Sequence, residues 1–224
     1  MRLLHALVLA FALMTTAPSP AAAATAAQVV TQAEFALDNF LAALPEDDVT
    51  RIYVQNAYAV VVVPNFIKGG FVLGAEHGLG VLLVRDTDTG RFGPPTFVEI
   101  FGGSIGLQAG GKSSDLILTV MNRRATEALL DGDVRIGAEL SAAFIRVGGA
   151  FGAATTTAMG EDLYIFERTA GLFGGASLGG SGIVPQRKLN ADFWGAGTTP
   201  AAIVRRFGLD DARTRELQST LLRF

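Results

Sequence analysis

The chain reads as an α+β fold: a glycine-rich, strongly bent antiparallel β-sheet, barrel-like, with helices flanking it at the N- and C-terminal ends. Two observations predict this. All but one of the 27 glycines fall between Gly69 and Gly197. Across that interval, short β-branched and aromatic runs alternate with glycine pairs, as in FVLGAEHGLGVLLVRD, TFVEIFGG, IGAELSAAFIRVGGAFG, LYIFERT and LFGGASLGGSG. Glycine permits bulges and close backbone approach, so this spacing predicts a sheet that bends sharply. Helical periodicity, by contrast, is confined mainly to the two ends.

The elements follow in order. Met1-Arg2, an apolar block from Leu3 to Met14, Thr15 to Pro20 and the small run Ala21 to Ala24 have the form of a secretory signal peptide, too short to span a bilayer. Residues 1–24 are therefore expected to be a leader cut near Ala23 or Ala24, and residues 25–224 a single domain. From Thr25 to Leu44, Val29, Val30, Ala33, Leu37, Phe40, Leu41 and Leu44 recur at steps of three and four, the stripe of an amphipathic helix. Pro45-Glu46-Asp47-Asp48 ends it and supplies acidic caps for a second helix reaching about Gln55. Ala57 to Pro64, AYAVVVVP, reads as a buried strand bounded by its proline. Thr87 to Gly90 marks a hairpin turn, and Asn122 to Leu130 a capped helix closed by Asp131-Gly132. Pro200 to Phe207 and Asp210 to Leu222 form the C-terminal helices, with Gly208 as the break and Asp210 as the cap.

Composition excludes several classes of function. The chain has 224 residues, a net charge of −3 that becomes slightly more acidic without Arg2, and no cysteine. That balance argues against nucleic acid as partner, which requires a strongly basic face. Without cysteine there is no disulfide framework, thiolate metal site, cysteine nucleophile or lipidated cysteine after the leader. Mean hydropathy is +0.38. Such apolarity fills a large core, lines a cavity or forms a surface meant for lipid or protein.

Three motifs suggest chemistry. Gly106-Leu107-Gln108-Ala109-Gly110-Gly111-Lys112-Ser113 satisfies GxxxxGK(S/T), the phosphate-binding loop of nucleotide enzymes. That mechanism requires a helix starting at the Lys-Ser pair, whereas the residues that follow, Ser114 to Met121, are apolar and β-branched. Gly102-Gly103-Ser104-Ile105-Gly106 matches the GxSxG of serine hydrolases, and His77 beside Glu76 offers a base, but no third triad member is identifiable. Asp86, Asp88 and Gly90 begin like a calcium loop and lack its closing glutamate. No metal or cofactor is therefore expected. What remains is a combination of apolar glycine-rich strands with single basic residues at strand ends: Lys68, Arg85, Arg91, Lys112, Arg123, Arg124, Arg146 and Arg168. Cations around an apolar opening suit an anionic lipid, pairing with its phosphate.

The ordered glycine motifs extend this reading. Lys68-Gly69-Gly70-Phe71-Val72-Leu73-Gly74, Gly78-Leu79-Gly80-Val81-Leu82, Phe92-Gly93-Pro94-Pro95, Gly102 to Gly110, Ser114-Asp115-Leu116-Ile117 up to Asn122, Gly137 to Ser141, Tyr164 and Gly171 to Leu178 together resemble the SYLF domain. This is a family of lipid-binding modules found in bacterial exported proteins and in eukaryotic membrane-trafficking and actin-associated proteins. The likeness runs from about Val29 to Gly195. It departs from the family at Leu79, where Arg is usual, and at Phe92-Gly93, where Trp-Ser is usual; the closing aromatic pair is Phe193-Trp194. Thr25 to Leu44 also carries acids and neither Lys nor Arg, so phosphoinositide preference and actin binding are not carried over.

The resemblance implies phospholipid or membrane contact and names no catalytic residue. The expected function is non-catalytic binding of anionic phospholipid at an envelope membrane by an exported, periplasmic or secreted protein, with Lys68, Lys112, Arg123 and Arg124 as headgroup contacts. The alternatives are an exported hydrolase using Ser104 and His77 or the string at 106–113, and an envelope scaffold or self-assembling protein.

Overall fold

The computed structural model describes residues 24–70, 73–105, 110–146, 160–169, 180–206 and 211–224. The leader and its cleavage point fall outside them. The elements, in chain order, are α1 (Ala26–Ala43), α2 (Val49–Asn56), β1 (Ala59–Gly70), β2 (Leu73–Val84), β3 (Thr96–Ile105), β4 (Gly110–Val120), α3 (Arg123–Asp131), β5 (Val134–Arg135), β6 (Ala142–Arg146), β7 (Leu163–Thr169), β8 (Gly182–Pro185), α4 (Arg187–Trp194), α5 (Pro200–Val204) and α6 (Arg215–Leu221). The strands form one sheet in the order β5-β8-β3-β2-β1-β4-β7-β6, curled into a half-barrel. Every pairing is antiparallel except β6 with β7, which run parallel.

The helices begin where side chains satisfy their first free amides. Thr25 and Gln28 make a capping box at α1; Asp48 caps α2 through Thr50 N, and Asn122 caps α3 through Ala125 N. At the C-terminal end, Asp211 to Thr214 forms a turn and α6 starts only at Arg215; Asp210, the expected cap, lies outside the described residues. The chain also contains α4, which the sequence reading left out. Its helical face is short, and tertiary contacts fix it: Asn190 accepts from Phe97 N at 2.9 Å and donates to Phe97 O at 3.1 Å, and Trp194 Nε1 donates to Pro95 O.

The proline does not end β1. The strand runs through Pro64 to Gly70, and a bulge between Val63 and Phe66 shifts its register against both neighbours. Asn65 there has a φ of 50°. A bulge bends its strand and raises local twist, so it sets the curl at the centre of the sheet. Gly80 is the answering feature on β2: a Cβ there would press into Val62 O and stand 2.8 Å from Val63 Cγ2. Only a residue without a side chain lets the bulged strand approach this closely.

Alternation along the strands gives the sheet two buried faces. The outer face packs Val60, Val62, Val81, Leu83, Phe97 and Ile117 against Leu37 and Phe40 of α1, Phe193 of α4 and Leu217 of α6. The inner face collects Val61, Val63, Val98, Ile100, Leu116 and Leu118 with Ile183 of β8 and Ile165 of β7, and closes over Ala125 and Leu129 of α3.

Candidate functional site

The inner face changes character beyond the bulge. Toward the strand tips its next positions are Lys68 on β1, Glu76 on β2, Lys112 and Ser114 on β4, and Glu167 on β7. Register places Gly102, Glu76, Lys68 and Lys112 in one row across β3, β2, β1 and β4. Lys68 Nζ lies 2.9 Å from Glu76 Oε2, and Lys112 Nζ lies 2.5 Å from Glu167 Oε1. Ser114 Oγ donates to the same Glu167 oxygen at 2.7 Å, while Ser181 Oγ donates to Glu76 Oε1. The side chains are 11% exposed at Lys68 and 5% at Lys112.

Gly102 is what makes room for one half of this arrangement. A Cβ at that position would lie 2.8 Å from both Glu76 Oε1 and Ser181 Oγ, so the carboxylate and hydroxyl meet over bare backbone. The two lysines are themselves cross-strand partners on one face. Like charges placed directly opposite repel, and each is compensated here by a glutamate on its far side. The result is a nearly dry sequence of charges, minus, plus, plus, minus, spanning four strands.

The outer face of the same strand tips is apolar and open. One register step away, Ile67, His77 and Phe101 form a row across β1, β2 and β3. Ile67 is 58% and Phe101 47% exposed, because α1, α4 and α6 cover only the opposite half of that face. Between them His77 Nε2 meets Glu99 Oε1 at 2.9 Å, and Gln186 donates to Glu99 Oε2.

The four expected headgroup residues divide into two pairs. Lys68 and Lys112 sit together at the strand tips, inside the half-barrel. Arg123 and Arg124 are exposed on the first turn of α3, past the other end of β4, roughly 27 Å from Lys112 at ~3.3 Å per residue. There Arg124 Nη2 bonds Asp162 Oδ1 at 2.7 Å. Burial pushes the Asp162 carboxyl up, but hydrogen bonds from Asn122, Ser141 N and Arg124 outweigh it and hold the group below its usual value. A single headgroup does not span the two pairs.

The other motifs resolve as follows. Lys112 and Ser113 lie within β4, an extended strand, so no helix begins at the Lys-Ser pair and the phosphate-loop geometry is lacking there; residues 106–109 lie outside the described ones. Ser104 pairs with Gly74, whereas His77 pairs with Phe101 three residues earlier, about 10 Å along β3. That backbone spacing is wider than the nucleophile and base of a serine hydrolase require. The members of this ionic row that the sequence did not single out as binding residues are Glu76, met only as the neighbour of His77, and Glu167. Their signal was present: each continues the two-residue alternation of inner-face positions, Leu163, Ile165, Glu167 and Leu82, Gly80, Gly78, Glu76.

A family model described as Ysc84, Las17-binding protein actin regulator, matches residues 101–223, from the middle of β3 to the end of α6. The chain belongs to the Ysc84, or SYLF, family. Relatives of this SYLF domain include SH3 domain-containing YSC84-like protein 1 of Xenopus laevis, 29% identical over 136 residues, covering 60% of the chain and 40% of that protein. Protein YSC84 of Saccharomyces cerevisiae is 25% identical over 161 residues, 70% of the chain and 34% of that protein. The Bos taurus YSC84-like protein 1 is 30% identical over 129 residues, 57% of the chain and 38% of that protein. The matched region thus spans between a third and two fifths of these relatives.

Proposed function

We propose that this SYLF domain binds anionic phospholipid at a membrane surface without catalysing a reaction, and that the strand tips of β1 to β4 make the contact. The observation that carries this reading is the pairing of two exposed apolar side chains, Ile67 and Phe101, with two lysines on the opposite face of the same strand tips. Withdrawing a large apolar side chain from water contributes about 1.5–3 kcal/mol, and the two lysines are donors for charge-assisted hydrogen bonds to an anionic headgroup. The leader-like N-terminus supports export and an envelope membrane as the place of action, with the protein peripheral to the bilayer. Among the described residues no helix is long and apolar enough to cross a membrane.

Sedimentation with vesicles tests the reading. The protein is expected to pellet with phosphatidic acid or phosphatidylglycerol vesicles at low salt and to stay in solution with phosphatidylcholine. Ile67→Ser with Phe101→Ser is expected to weaken the affinity for the vesicles at least tenfold, the loss of about 1.4 kcal/mol or more. Equal binding to neutral and anionic vesicles would sink the proposal. A protein-binding role is the second reading, favoured by the family description, Las17-binding protein actin regulator; it predicts capture of a protein partner that the Ile67 and Phe101 changes leave intact.

A further inference from the structure

We infer that Lys68 and Lys112 form a two-point clamp for one phosphate group, and that Glu76 and Glu167 are internal anions competing for the same ammonium groups. The inference rests on the proposed function only for the source of the phosphate, a lipid headgroup.

Three observations carry it. First, the lysines are register partners on a single face, so two like charges leave neighbouring backbone positions, an arrangement that a doubly charged anion reached by both relieves. Second, each lysine is engaged by a glutamate on its outer flank: Glu76 at 2.9 Å and Glu167 at 2.5 Å. The glutamates are in turn anchored by Ser181 and Ser114. Carboxylates held in this way keep one hydroxyl donor each while a lysine shifts toward an incoming anion, so each glutamate stays in place as the competitor for that lysine. Third, the way in is built of backbone. The next inner-face positions toward the tips are Gly70 on β1, Gly74 on β2 and Gly110 on β4, which face one another in register. These three described positions carry no side chain themselves, and bare backbone lets a ligand approach closely.

A competitor hypothesis predicts the sign of a substitution. Removing the charge of an internal anion should strengthen binding of the external one, whereas a structural ion pair would be weakened with no gain. The experiment measures, for the full protein, affinity for phosphatidic acid vesicles, phosphatidylcholine vesicles and inorganic phosphate, the last by its effect on melting temperature. Glu167→Gln is expected to bind phosphatidic acid vesicles at least about fivefold more tightly than the wild type, the lower end of ordinary site coupling. Glu76→Gln is expected to do the same from the other end of the row and serves where the first variant folds poorly. Glu127→Gln, the same change of charge on the exposed face of α3, is expected to change nothing. The double variant Lys112→Met with Glu167→Met, which removes a lysine and its carboxylate together, should fold and lose the phosphate response.

Phosphate raising the melting temperature of Glu167→Gln without vesicle binding keeps the clamp and discards the membrane as source. Vesicle binding that is the same in the wild type, both glutamine variants and the double variant overturns the clamp while leaving the membrane reading standing. No response to phosphate or to any vesicle overturns both.

Discussion

The two halves of the inner face are made from the same four strands and differ in what they bury. Before the bulge, β1 presents Ala59, Val61 and Val63, and β4 presents Leu116, Leu118 and Val120, all within 1% of complete burial. After it, β1 presents Phe66 and then Lys68, while β4 presents Ser114 and Lys112. The first half needs only shape to be stable. The second half surrenders the stabilisation of an apolar core for a row of charges whose desolvation is repaid only while every partner is present. Stability is not gained by such a row, since well-packed apolar residues of the same size would do as well or better. The proposed exchange of the glutamates for an external anion gives the row a use that stability does not.

That contrast is open to direct attack. The largest effect is expected at Lys112→Met alone, which strands Glu167 without its cation. Chemical denaturation should show a loss of about 3–5 kcal/mol, and adding Glu167→Met should recover most of it. If the single change is tolerated, the row is not a closed electrostatic unit. Next comes Leu118→Ala in the apolar half, expected to cost about 2–5 kcal/mol through cavity formation. Lipid binding per folded molecule should be unchanged there, which separates the two halves by function as well as by stability.

The smallest effect concerns a carboxylate that has no lysine. Burial, and then the charge of Glu216, push the Glu34 carboxyl above its usual value. The folded state therefore favours the protonated form: this contribution to stability is complete below the usual carboxylate range and is lost as pH rises through the raised value. Glu34→Gln should raise stability at pH 7 by no more than about 0.5 kcal/mol, given solvent screening, and the gain should vanish near pH 4. A gain that persists at acid pH would mean a packing effect rather than a charge effect.

Much of this architecture was legible in the sequence because its signals are local. Thr25, Asp48 and Asn122 announce helix starts by side-chain chemistry, and the glycine spacing announces a bent sheet. Where the reading fell short, distant contacts decide. Pro64 looked like the end of a strand, but a bulge absorbs its missing amide. Residues Arg187–Trp194 form a helix because Asn190 and Trp194 find backbone partners on or beside β3, nearly a hundred residues earlier. The site was half legible. Lys68 and Lys112 stood out as isolated cations, but their adjacency is a register fact, created by pairing β1 with β4 across more than 40 residues of chain. Glu76 and Glu167 were hidden for the same reason: a buried acid in a strand looks like an exposed one until its facing strand is known. Arg123 and Arg124 were grouped with the lysines by charge alone, and the length of β4 separates them.

The central claim is that the ionic row at the strand tips, rather than the arginines of α3, receives an anionic headgroup. Flotation with phosphatidic acid vesicles tests it most directly, comparing the wild type with two double variants, Lys112→Met with Glu167→Met and Arg123→Ser with Arg124→Ser. The predicted result is that only the first variant stops floating while both stay folded by circular dichroism. The opposite pattern, with binding kept by the Met pair and lost by the Ser pair, would contradict the claim.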